Sequence, residues 1–140
     1  METIALRPKL KSFRATSFHG ENNVSSSGQE PWNIELKQTI EVGLGAQSKT
    51  PSVLLAIVKI ELDAKATKKN ATDQVANFNA SYEAKFEYPS QIKKEDIFPK
   101  FEQELYQYVL VAQAFPLALS HFRREMQSMG FDARNLPLGL

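Results

Sequence analysis

Cysteine is absent from the sequence, and with it go disulfides, thiol nucleophiles and cysteine-based zinc or iron–sulfur sites. Histidine occurs twice, as His19 and His121, and no histidine-based metal site is expected from the pair. Long apolar runs are also missing. The longest covers 53–58, far short of the ~20 residues that cross a bilayer. Charge of one sign is lacking too: 17 Lys and Arg stand against 16 Asp and Glu, a net +1. No global field therefore draws nucleic acid or an anionic membrane, and little repulsion opposes self-association. Glycine-rich phosphate cradles are missing, because Gly43-Leu44-Gly45 has no third glycine and no following helix. No serine sits in a Gly-x-Ser-x-Gly context. The opening Met1-Glu2-Thr3-Ile4-Ala5-Leu6 carries an early acid and no apolar core, so it reads as no signal peptide, and a cytoplasmic protein is expected. No enzyme activity, metal or cofactor is expected.

What the chain does have is alternation. Its 140 residues, 42% hydrophobic and 24% charged, suit a single domain over 1–140 with a core of its own. From Trp32 the even positions read Trp32, Ile34, Leu36, Gln38, Ile40, Val42, Leu44, and the odd ones are polar or glycine. A strand with one buried and one wet face is expected over 32–44. A second strand is expected over 53–66, apolar on both faces at its start, as if a second chain covered it there. A third alternates Phe78, Ala80, Tyr82, Ala84, Phe86, Tyr88 on one face, a large-into-small pattern. A less regular strand, with Leu10, Phe13, Ala15 and Phe18 apolar, is expected over 10–18. Glu35, Glu41, Glu61, Asp63, Glu83 and Glu87 fall among lysines on the polar faces, where a solvated, cross-strand-paired surface is expected.

After Pro89 the period changes. Phe98, Phe101, Leu105, Tyr108, Val109 and Ala112 fall at helical spacing, with Glu95 or Asp96 to cap the start and Pro99 in the first turn. Phe115-Pro116 is expected to interrupt that helix. A second helix is expected over about 120–129, ended by Gly130. Residues 1–9 and 131–140 are expected to be flexible ends. The fold expected is α+β: a four-stranded antiparallel meander followed by two helices packed on one face.

The run Ile97-Phe98-Pro99, fifteen residues, then Phe115-Pro116-Leu117 resembles the SecB export-chaperone family. There, two Phe-Pro steps open the first helix and the crossover loop to the last helix. Trp32, followed by alternating apolar residues, resembles that family's tryptophan before its second strand, and the element order agrees over nearly the whole chain. The resemblance implies an ATP-independent holdase, a dimer of dimers, binding unfolded or partly folded polypeptides in apolar grooves. A dedicated client such as an antitoxin is among the partners it implies. It places the client-binding surface on Ile34, Leu36, Ile40 and Val42 of the strand, on Phe115, Leu117 and Leu119 of the crossover, and on Phe122, Met126 and Met129 of the last helix. Family members engaged in protein transport dock the SecA motor through an acidic sheet surface. The +1 charge and mixed Lys and Glu of this chain argue against that contact. The alternatives are an interaction protein with one partner and no general chaperone activity, and a small-molecule carrier. A holdase retains many unrelated clients, a one-partner interaction protein one, and a carrier needs an enclosed cavity with convergent polar groups.

Overall fold

The computed structural model describes residues 7–23, 32–46, 53–68, 71–90 and 92–131. Four strands, β1 (Lys9–Asn22), β2 (Trp32–Ala46), β3 (Leu54–Lys68) and β4 (Ala71–Glu87), are followed by α1 (Lys94–Phe101) and α2 (Glu104–Ser128). The strands form one antiparallel sheet in the order β1-β4-β3-β2. The three strands β2, β3 and β4 form the expected meander. β1 departs from it, crossing to the far edge beside β4 in a Greek-key arrangement. The long 23–31 connection permits the crossing, and adjacency of consecutive strands is a tendency only.

The irregular spacing of Leu10, Phe13, Ala15 and Phe18 has a structural cause. Register shifts fall between Leu10 and Ser12 and between Ala15 and Ser17. Each inserts one residue without a partner, so the apolar face advances three positions instead of two. Leu10, Phe13, Ala15, Phe18 and Gly20 thereby stand opposite Phe86, Ala84, Tyr82, Ala80 and Phe78. On β3, Ala56, Val58, Ile60, Leu62 and Ala64 oppose the same residues. Along three strands a small residue meets a large one, most clearly where Gly20 and Ala64 flank Phe78. At Gly20 a Cβ would lie 2.9 Å from the Phe78 ring and 2.5 Å from the Met129 sulfur, so any larger residue there forces the ring or the methionine to shift.

This face is buried under α2, which touches all four strands. The inward helix positions are Leu110, Val111, Ala114, Phe115, Ala118, Leu119, Phe122 and Met126. Phe18 meets Phe122 edge-on at 6.1 Å, and Phe78 packs on Phe131 at 5.6 Å between ring centroids. The opposite face is wet. There the register sets Glu35 against Lys65, Lys37 against Asp63 and Glu41 against Lys59. Lys59 stands against Glu83, which pairs with Arg14 at 3.2 Å. Glu35, Glu41, Asp63, Glu83 and Glu87 thus stand opposite basic neighbours, while Glu61 stands opposite Thr39 and Ser81.

The helical region differs from the expected pair in its boundaries. The break falls at Glu102 and Gln103, and α2 continues through Pro116. Proline removes the bond to the carbonyl four residues earlier, but Pro116 and Ala112 are both exposed, so that carbonyl is on a side of the helix open to solvent. The buried Phe115, Ala118 and Leu119 hold both sides of the step on the sheet. The helical phase also differs. Leu105, Tyr108 and Val109 lie outside, because the break at 102–103 resets the phase and both sides of α2 are apolar. Asp96 accepts a hydrogen bond from the Lys93 N–H at 3.1 Å at the start of α1, as expected of a cap, while Pro99 falls beyond the first turn. Gly130 ends α2 with φ +82°, and the N–H groups of Gly130 and Phe131 donate to Gln127 and Met126. This is a Schellman ending, with Phe131 as its buried apolar residue. The remaining ends expected to be flexible, 1–6 and 132–140, lie outside the described residues.

Candidate functional site

Helix α2 lies as a ridge along the sheet, and an unfilled surface flanks it on the β2 side. β2 is an edge strand, paired only with β3, so one side of its backbone has no strand partner among the described residues. Its helix-facing residues Ile34, Leu36, Ile40, Val42 and Leu44 are only partly buried. Between Ile40 and Val42 on the strand and Leu105, Tyr108 and Val111 on the helix runs an open cleft of about 450 Å³. Leu105 is 81% exposed, and Tyr108 55%. Among the described residues Glu104 is the one charged residue lining this cleft, with Gln107 as a second polar one. Helical spacing carries the same flank from Tyr108 through Ala112 and Leu119 to Arg123.

Two polar atoms without partners belong to this flank. Among the described residues, Gln38 Oε1, at the polar break of β2, and Arg123 Nε are buried without a hydrogen-bond partner. Such atoms cost ~1–3 kcal/mol each when left unmade. An acceptor on the strand and a donor on the helix are what an extended peptide backbone, with its alternating N–H and C=O groups, can satisfy.

Of the residues that the resemblance placed on a client surface, Ile40 and Val42 line this cleft, and Ile34 and Leu36 lie farther along the same partly buried face of β2. Leu117 is exposed on the outer side of α2, and Met129 is half-buried against β1. Phe115, Leu119, Phe122 and Met126 are packed between helix and sheet, Phe122 and Met126 with 0% exposure, so in the single chain they form core. No crossover loop contains Phe115, Leu117 and Leu119, which all lie inside α2. Leu105, Tyr108 and Val111, which do line the cleft, were legible as an apolar helical stretch but not by face.

The start of β3, expected to need a second chain over its outer side, already buries Leu55 within the single chain, and Ile57 is partly buried. A side-chain trio ties the middle of the ridge down. The Tyr82 hydroxyl hydrogen-bonds His121 Nδ1 at 2.9 Å, and His121 Nε2 lies 3.5 Å from Glu125. Burial, with Glu125 nearby, pushes the Tyr82 hydroxyl far above its ordinary value, so it stays neutral. The i,i+4 spacing of His121 and Glu125 was the sequence signal for this contact. At the start of the ridge the hydroxyls of Tyr88 and Tyr106 bond to each other, and burial raises both. Among the described residues no group of three or more His, Cys, Asp or Glu is placed to hold a metal ion, and no helix is long and apolar enough to cross a membrane.

No protein-family model matches the sequence, and no curated protein matches it. Among solved structures, the chain is similar to a SecB-like chaperone of Mycobacterium tuberculosis in complex with a ChAD peptide from the HigA1 antitoxin. The two are 12% identical and align with a TM-score of 0.66 over 99% of this chain and 95% of that one. The fold is SecB-like, with its four-stranded antiparallel sheet followed by two helices.

Proposed function

We propose that the protein binds extended polypeptide segments in the β2–α2 groove and acts as an ATP-independent holdase or as the keeper of one dedicated client. The observation that carries this reading is the half-covered apolar face of edge strand β2 beside the exposed Leu105 and Tyr108. An edge strand offers main-chain hydrogen bonds to any extended peptide, and the apolar wall takes its side chains, so the site reads chain conformation more than sequence. The similar chaperone was solved with an antitoxin peptide, which supports a polypeptide ligand of this class and makes an antitoxin a fitting client. The open cleft does not favour a small-molecule carrier, which needs enclosure. The alternating charges of the wet sheet face do not favour SecA docking.

Exposed Phe98, Val109 and Leu117 fit the further proposal of a homotetramer, a dimer of dimers. Four chains of 15.8 kDa make about 63 kDa, the mass expected in light scattering. A monodisperse species of single-chain mass at micromolar concentration rules the tetramer out.

Fluorescence anisotropy with a labelled, reduced, unfolded client tests the groove. Leu105→Asp and Tyr108→Asp are exposed substitutions that leave the core alone, and each is expected to weaken binding about tenfold. Binding there is expected to be nearly insensitive to salt, with a negative heat-capacity change. Unchanged affinity in both variants defeats the proposal. A pull-down from lysate then separates the two forms of the reading, since a holdase retains many partners and a dedicated keeper one.

A further inference from the structure

The two flanks of the α2 ridge differ in charge. On the β1 side, two clefts of about 150 and 420 Å³ share Arg7, the smaller beside α2 and the larger at the paired ends of β1 and β4. Among the described residues, Arg7, Lys9, Lys11 and Lys100 line them, against the single carboxylate of Glu87. Four basic groups against one acid leave a local charge of +3 in a chain whose total is +1. Glu87 is engaged already, by Lys11 at 2.9 Å. Arg7, Lys9 and Lys100 have no ion pair among the described residues. Beneath these cations the floor is apolar: Pro8 and Leu110 in the smaller cleft, Leu10 and Tyr88 in the larger.

The geometry points to a second docking surface, on the β1 side of α2, for acidic polypeptide segments in which carboxylates stand beside apolar side chains. This rests on the groove reading only in taking the ligand to be a polypeptide. Guanidinium and ammonium groups around a concave rim meet carboxylates, with Arg7 able to do so in bidentate fashion. The apolar floor takes the neighbouring side chain. A nucleic-acid backbone instead asks for cations strung along a surface, with no apolar floor between them. The β2 groove, with Glu104 lining its cleft and Arg123 farther along the same flank, lacks the excess of cations that prefers acidic segments, so the two surfaces divide the ligand by chemistry.

The test uses two labelled short peptides, one alternating Asp or Glu with Leu and Phe, the other with every acid replaced by its amide. The acidic peptide is expected to bind about tenfold tighter than the amide at low ionic strength, and the preference is expected to vanish at high salt. In the Arg7→Glu, Lys100→Glu double variant the preference is expected to be lost. Both residues sit at the surface, and circular dichroism checks that the fold is kept. A neutral apolar peptide is expected to bind that variant as it binds the wild type. Equal affinity for acid and amide overturns the proposal, as does a preference that survives in the double variant. Single-stranded DNA or anionic vesicles displacing the acidic peptide through the same two residues, and binding more tightly, also overturn it by making the surface a general polyanion site. Failure of the neutral peptide to bind defeats the β2 groove reading, while the acid-against-amide comparison still decides this one.

Discussion

Tyr82, Tyr88 and Tyr106 join the sheet to the helical layer through their hydroxyls, and burial is the largest cause raising each above the ordinary tyrosine value of 10.0. A phenol held protonated by the fold contributes stability that is complete below the unfolded value and lost as pH rises past it. Stability is therefore expected to be level in these groups up to about pH 10 and to fall above it. Urea unfolding followed by circular dichroism at a series of alkaline pH values measures this. Tyr82→Phe, which removes one of the three titrations, is expected to make the fall shallower. A curve unchanged from neutral pH through the tyrosine range contradicts the burial assigned to them. None of this was legible in composition, because a tyrosine's partner is set by which strand and which helical turn face each other.

At the scale of the element, α2 tolerates a proline that sequence pattern alone reads as a stop. Pro116→Ala is expected to stabilise the protein by ~1–3 kcal/mol, because a helical position regains its bond while the buried neighbours keep their places. Phe122→Ala, by contrast, empties a fully buried site and is expected to cost ~3–5 kcal/mol. Denaturant midpoints of the two variants should move in opposite directions. Movement in the same direction means that the inward face of α2 is not the one described. The strands were legible wherever alternation was clean, as in 32–44 and 78–88. β1 was blurred by its two bulges, which turn a period of two into an uneven series. The helix break was misplaced for a related reason. A proline signal is local, whereas whether a helix survives it depends on which side of the helix faces solvent, and that is decided by packing.

For the whole molecule, the layer arrangement could be argued from element order, but the neighbour of β1 could not. No residue of 10–18 announces that its partner lies in 71–87. The groove was legible by half: Ile40 and Val42 came from alternation, while Leu105 and Tyr108 needed the phase of α2. The placement of β1 at the far edge also has a kinetic consequence. Lys9 pairs with Glu87, so the first strand made has its partner in the last, whereas β2, β3 and β4 follow one another through short connections. Loop-closure entropy makes the local pairings form first and the distant one last. In a chevron experiment Ile60→Val in β3 is expected to slow folding, with a φ-value of about 0.5 or more, and Phe13→Ala in β1 to act mainly on unfolding, with a φ-value of about 0–0.3. The reverse order would place the folding nucleus at β1. On the ribosome, the strand that emerges first therefore waits unpaired until the fourth strand has left the exit tunnel.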